Sequence, residues 1–149
     1  MPGGSTFIDT NVLLYAHDRL NQEKAIQSKE WLNLLASRGL ARVNLQTLNE
    51  LTSVLLRKKW FEDVATVYAV VDQFAVLGTT PVTYKEIATA RTIHLRYGYS
   101  WWDCLLLASA LELGCQFFLS EDLQDGQAIE GLTIVDPFAH SPQQVFASR

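Results

Sequence analysis

Short apolar runs of strand type alternate along the chain with longer stretches whose apolar residues recur every three or four positions. Thr6-Phe7-Ile8 reads as a strand that stops at Asp9, and Val12, Leu13, Tyr15 and Ala16 suggest a short helix after it. Asn21 is placed to cap a helix over 22–37, where Ala25, Ile26, Leu32 and Leu35 form a broken apolar stripe and Gly39 supplies the stop. Residues 42–45 read as a second strand. Leu48, Leu51, Leu55 and Leu56 then recur at helical spacing over 46–59, and Arg57, Lys58 and Lys59 complement the negative end of that helix. Further helices are predicted over 61–74, over 84–97 after the break at Gly78-Thr79-Thr80-Pro81, and over 101–113 up to Gly114. Strands over 115–119 and 133–135 follow, and the tail from Ala139 to Arg149 is weakly patterned. Strands separated by helices predict an α/β fold, a central mostly parallel β-sheet flanked by helices. With no repeat and no linker, residues 1–149 read as one domain.

Composition narrows the partners. A chain of 149 residues, 48% hydrophobic, can bury about two-thirds of its unfolded surface without disulfides. Twelve Lys and Arg against sixteen Asp and Glu leave a formal charge of −4. Bulk positive charge therefore cannot hold a nucleic acid, and such a partner needs a local reason to bind. The start, Met1-Pro-Gly-Gly-Ser, lacks the basic and apolar regions of a secretory signal. The longest apolar run, 104–111, falls far short of the ~20 residues of a spanning helix, so a cytoplasmic protein without a membrane segment is expected. Cys104 and Cys115 lack paired spacing, and His17, His94 and His140 are scattered, which argues against zinc.

Candidate chemistry lies in four acids. In open α/β sheets ligands bind beyond the carboxyl ends of the strands. Asp9 directly follows Phe7-Ile8, and Asp122 follows Phe117-Phe118-Leu119 with Ser120-Glu121 between. Glu50 lies in an otherwise apolar early turn of its helix, and Asp103 lies between Trp102 and Cys104. Each has a plainer role open to it: Asp9 as a helix cap, Asp103 as the acid of a Ser100-x-x-Asp103 capping box, Glu50 as a solvated helix residue, Asp122 as a turn former. Their joint occurrence favours one acidic centre at the end of the sheet.

Phe7-Ile8-Asp9-Thr10-Asn11-Val12-Leu13-Leu14-Tyr15, Asn49-Glu50-Leu51, Ser100-Trp101-Trp102-Asp103 and Leu119-Ser120-Glu121-Asp122 resemble, in order, the signature blocks of PIN-domain ribonucleases. The resemblance covers almost the whole chain and is nearest to the VapC-type toxins of toxin–antitoxin systems, whose usual close resembles Gly131-Leu132-Thr133-Ile134-Val135-Asp136-Pro137-Phe138. It implies a Rossmann-like sandwich and an acidic quartet of Asp9, Glu50, Asp103 and Asp122. Thr10, Asn11, Ser100 and Ser120 would support the quartet by hydrogen bonds, and Asp125 is a further carboxylate able to share the role of Asp122.

Cleavage of an RNA phosphodiester adds negative charge to an anionic phosphate, which bare carboxylates would repel. A hard divalent ion, Mg²⁺ or Mn²⁺, reverses that sign. We assign Asp9 and Asp103 to direct metal contact, and Glu50 and Asp122 to orienting water or a second ion. The function expected is that of a metal-dependent endoribonuclease, the toxin of a type II toxin–antitoxin system. An Asp-dependent phosphatase, weakened by Asn11 where a second aspartate usually stands, and a catalytically inactive RNA- or protein-binding module remain as alternatives.

Tyr97, Tyr99, Trp101 and Trp102 are candidates to stack on RNA bases, with core packing as the competing role. Arg57, Lys58, Lys59, Arg91 and Arg96 are candidates to guide the backbone, with a solvated helix end as the alternative. Leu13, Leu14, Trp31, Leu34 and Leu35, opposite Leu51 and Leu55, suggest an apolar surplus that permits a partner groove. The resemblance implies a homodimer and a cognate VapB-type antitoxin there. Setting the quartet aside leaves as many acids as bases, so the acidity counted against RNA resides where metal would neutralise it.

Overall fold

In the computed structural model, which describes residues 4–146, five strands and seven helices follow one another along the chain. Readings that fall on residues 1–3 and on the last three of the tail lie outside the described residues. The strands are β1 (Thr6–Ile8), β2 (Ala41–Arg42), β3 (Phe117–Leu119), β4 (Ala128–Ile129) and β5 (Leu132–Val135). The helices are α1 (Thr10–Tyr15), α2 (Gln22–Ser37), α3 (Leu45–Lys58), α4 (Val64–Ala75), α5 (Tyr84–Tyr97), α6 (Trp101–Glu112) and α7 (Pro142–Phe146).

The sheet order is β2-β1-β3-β5-β4. Only the edge pair β4–β5 is antiparallel; β1–β2, β1–β3 and β3–β5 are parallel. This is the mostly parallel α/β architecture that the sequence predicts. Side-chain alternation along the strands divides the core. Ile8, Phe117, Leu119 and Val135 face one layer with residues of α1 to α4, whereas Phe7, Phe118 and Ile134 face α5 and α6. α6 runs buried from Cys104 to Ala110, which explains why it is apolar all round.

Cap chemistry moves several predicted boundaries. The strand predicted over 42–45 ends at Arg42, because Asn44 caps α3 by accepting from the Thr47 amide at 3.2 Å and so turns Leu45 into the first helical residue. The helix predicted from Phe61 begins at Val64, because Asp63 accepts from the Thr66 amide at 2.7 Å. In the weakly patterned tail α7 forms behind a box in which Ser141 Oγ accepts from the Gln144 amide and Gln144 Oε1 accepts from the Ser141 amide. β4 was not foreseen; it is a two-residue strand held only by its hairpin partner.

The apolar surplus expected on the early helices is a correction. Leu13, Trp31, Leu35, Leu51 and Leu55 are fully or almost fully buried in the chain's own core, and only Leu14 and Leu34 stay partly open. The Trp31 indole donates to the Pro137 and His140 carbonyls, each at 3.0 Å. Both cysteines are free and buried, and burial pushes each thiol up to about 11. No helix among the described residues is long and apolar enough to cross a membrane.

The entry to α3 depends on a close backbone approach. Gly78 has φ +155°, and a Cβ there would lie 2.3 Å from the Val43 carbonyl oxygen, one residue before the Asn44 cap. No side-chain rotation relieves a clash with backbone, so Gly78→Ala is expected to cost about 2 kcal/mol or more. A thermal melt should show a Tm lower by roughly 5 °C or more. An unchanged Tm would mean that this approach is loose.

Candidate active site

The strand order reverses direction at β1, whose neighbours β2 and β3 are reached by crossovers running opposite ways, and such a switch point opens a crevice beyond the carboxyl ends of the strands. Register delivers the polar residues there. Ile8 pairs with Leu119 and Leu119 with Val135, so Asp9 and Ser120 emerge side by side. The Asp9 amide donates to the Leu119 carbonyl at 3.0 Å and the Ser120 amide to the Val135 carbonyl at 3.0 Å, which extends the ladder to the edge of the site.

Asp9 is 5% exposed and caps α1. Its Oδ1 accepts from the Thr10 amide at 2.7 Å, and its Oδ2 accepts from Ser120 Oγ at 2.7 Å and Asn11 Nδ2 at 3.3 Å. Asn11 Nδ2 also reaches Asp122 Oδ2 at 2.9 Å, and Ser120 Oγ accepts from the Asp122 amide at 3.2 Å. One amide and one hydroxyl thus tie two carboxylates from adjacent strand ends. Glu50 comes in on α3, where Thr10 Oγ1 donates to its Oε1 at 3.0 Å and Gln46 Nε2 to its Oε2 at 2.9 Å. Asp103 comes in on the first turn of α6. Ser100 Oγ donates to its Oδ2 at 2.9 Å and accepts from its amide at 3.2 Å, so the capping role and a place in the acidic centre are compatible.

The four acids share an open cleft of about 650 Å³. Burial pushes the Asp9 carboxyl up to about 7, the charges of Asp103 and Asp122 push the same way, and the bonds from Ser120 and Thr10 oppose them only in part. Asp103 is also raised, by burial first and by Asp122. This acidic centre is under electrostatic stress that a cation would relieve.

The other predicted residues separate. Asp125 does not line the cleft; its oxygens accept from the Asp136 amide at 2.9 Å and pair with His140 Nε2 at 2.7 Å, which fixes the chain after β5. Arg57 lines the cleft. Lys58 lies outside that lining over the Trp60 ring, and Arg96 pairs with Glu130. Trp101 packs against the core beside α5 and α6, whereas Trp102, 59% exposed, is the tryptophan on the cleft. Sequence reasoning passed over Gln46, Asn49 and Ser53, which line the cleft with Glu50. Their signal is the polar face of α3, at helical spacing around the acid.

A second cluster braces the loop between Ser120 and Asp122. Tyr15 Oη donates to Glu121 Oε1 at 2.9 Å, and Lys24 pairs with Glu121 while its ammonium lies 4.8 Å from the Tyr15 ring centre and 5.0 Å from that of Phe138.

The PIN domain family model matches residues 6–124. No curated protein sequence matches the chain. Among solved structures, VapBC2 from Rickettsia felis bound to a DNA fragment from their promoter aligns with TM-score 0.63 at 16% identity, over 87% of this chain and 96% of that one. A toxin–antitoxin complex from Klebsiella pneumoniae aligns with TM-score 0.62 at 20% identity, over 89% and 98%. VapC20 of Mycobacterium tuberculosis, a Sarcin-Ricin loop cleaving toxin, aligns with TM-score 0.58 at 19% identity, over 76% and 87%. At these identities the likeness is one of fold.

Proposed function

Because the chain belongs to the PIN domain family, we propose that it is a Mg²⁺- or Mn²⁺-dependent endoribonuclease and the toxin of a type II toxin–antitoxin pair. The observation that carries this reading is the convergence of Asp9, Glu50, Asp103 and Asp122 on one open cleft at the switch point of the sheet. The donors suit a hard ion. All four are carboxylates, burial raises Asp9 to about 7 with the charges of Asp103 and Asp122 pushing the same way, and Asn11 Oδ1 is buried with no hydrogen-bond partner. Among the described residues no three such side chains stand close enough to enclose an ion. Mg²⁺ keeps several waters and takes one or two carboxylates, so it does not require such an enclosure.

Asp9 and Asp103 would hold the ion, with Glu50 and Asp122 beside them. When bound, it supplies positive charge against the charge developing on phosphate and acidifies water. Thr10 and Ser120 fix the Asp9 carboxylate, and Asn11 holds Asp122 at a set distance from it. Gln46 and Thr10 hold Glu50 by both oxygens, so that it can orient water without swinging into the ion site. The reading includes a protein antitoxin, supported by the toxin–antitoxin assemblies among the structural relatives, and a homodimer is proposed with it.

Purified protein is expected to cleave single-stranded RNA in Mg²⁺ or Mn²⁺ and to stop on chelation. In cells, expression without the antitoxin should generate new RNA 5′ ends that disappear on co-expression. Cleavage that persists in EDTA, or its absence from freshly purified protein in both metals, would overturn the reading.

A further inference from the structure

The wall of the cleft formed by α3 carries Gln46, Asn49, Glu50, Ser53 and Arg57. At intervals of three and four residues these side chains form one polar stripe along the helix. Arg57 lies seven residues beyond Glu50, roughly 10 Å further along the axis. Its backbone position is therefore set well apart from that of Glu50, and its side chain lines the same cleft. The facing contribution comes from α6, where Trp102 immediately precedes Asp103 and leaves 59% of its surface open. Its neighbour Trp101 shows that the core accepts an indole at this helix start, yet Trp102 is turned to the cleft instead.

A cleft with a metal-type acidic centre, a polar stripe, a guanidinium in its lining and one open aromatic face matches the chemistry of an unpaired polynucleotide. Stacking on an indole needs a base whose face is free, and bases inside an A-form duplex have none to offer. A guanidinium about two helical turns along the same wall from Glu50 suits a phosphate next to the one being cleaved. We propose that in this cleft Trp102 stacks on a splayed base beside the scissile phosphate of single-stranded RNA and Arg57 holds a flanking phosphate further along α3. Asn49 and Ser53 line the same cleft. This rests on the nuclease reading of the acids, takes its single-stranded substrate as given, and adds the two residues that grip it.

The test is binding of a fluorescently labelled single-stranded RNA, followed by anisotropy in Mg²⁺ with full-length protein carrying Asp9→Asn to suppress cleavage. In that background Trp102→Ala is expected to weaken binding roughly tenfold or more, the range of a lost base–aromatic stack, and Trp102→Phe to restore much of it. Arg57→Ala should weaken binding to all sequences alike and make the dependence of log Kd on log salt shallower by roughly 0.7, the share of one phosphate contact on a single strand. A duplex of the same sequence should bind more weakly and ignore Trp102→Ala. Because Trp102 is exposed, its variants should melt like the parent protein.

Unchanged affinity in Trp102→Ala, equal losses on single strand and duplex, or an unaltered salt slope in Arg57→Ala would overturn the proposal. If the wild-type protein cleaves RNA in Mg²⁺ and these variants bind normally, the proposal alone fails. If the wild-type protein neither binds nor cleaves RNA in Mg²⁺, the nuclease reading fails with it.

Discussion

Asp9→Asn is expected to lower metal-dependent RNA cleavage by roughly 10³-fold or more while leaving the protein folded. The change is nearly isosteric. Asparagine caps a helix as well as aspartate does, so α1 keeps its start and Oδ1 can still accept from the Thr10 amide. The Ser120 hydroxyl, which donates to Asp9 Oδ2, can rotate to accept from an amide in that place. What is lost is the most buried carboxylate of the centre, and with it the negative charge that draws in the cation. Initial rates on single-stranded RNA, with a melt in EDTA alongside, separate the two effects. Wild-type rates from a folded Asp9→Asn protein would remove Asp9 from the mechanism.

Metal-free protein should lose stability as the pH rises from about 5 to 8. The unfolded chain releases the Asp9 proton near 3.8, whereas the folded chain keeps it to about 7. Between those values the folded state binds more protons, so raising the pH favours unfolding, and the stabilisation is spent once the pH passes the folded value. For Asp9 alone the change amounts to a few kcal/mol. Asp103, raised for the same reasons, acts in the same direction. His17, whose imidazole is lowered by burial, acts in the opposite one, so the wild-type curve is a sum. Melting curves in EDTA across this range should therefore be compared with Asp9→Asn, which is expected to be flatter and to melt higher at pH 8. Added Mg²⁺ should raise the Tm of the wild-type protein more at pH 8 than at pH 5, because the ion competes with the proton for Asp9. Parallel pH curves for the two proteins would show that Asp9 ionises freely.

Which parts of this were legible in the sequence follows from how local their causes are. Asp9 and Asp122 were placed at one edge because each follows an apolar strand run, directly for Asp9 and after Ser120-Glu121 for Asp122, and parallel register then brings the ends of β1 and β3 together. Asn44, between Val43 and Leu45, and Asp63, inside a helical pattern that opens at Phe61, were passed over as caps because regular structure read through them, and one side-chain bond to an amide decided otherwise. Ser141-Pro142-Gln143-Gln144 carried a readable helix start that the polar tail concealed. Trp101 and Trp102 differ by only 100° around α6, and which one meets the cleft depends on how that helix seats against α5 and the sheet. Asp125 lies close to Asp122 in sequence, but its partners, Asp136 and His140, come from beyond β5.

The pairing of β1 with β3 also sets a time for the site to appear. Asp9 and its hydroxyl partner Ser120 are 111 residues apart in the chain. A nascent polypeptide that stops short of Phe117 already carries Asp9, Glu50 and Asp103, yet it lacks the strand beside β1 and both Ser120 and Asp122. At synthesis rates of roughly 5–20 residues per second, the incomplete centre persists for most of translation. The acidic centre closes only after Asp122 has left the ribosome, so a copy that stops short of it would lack the proposed activity.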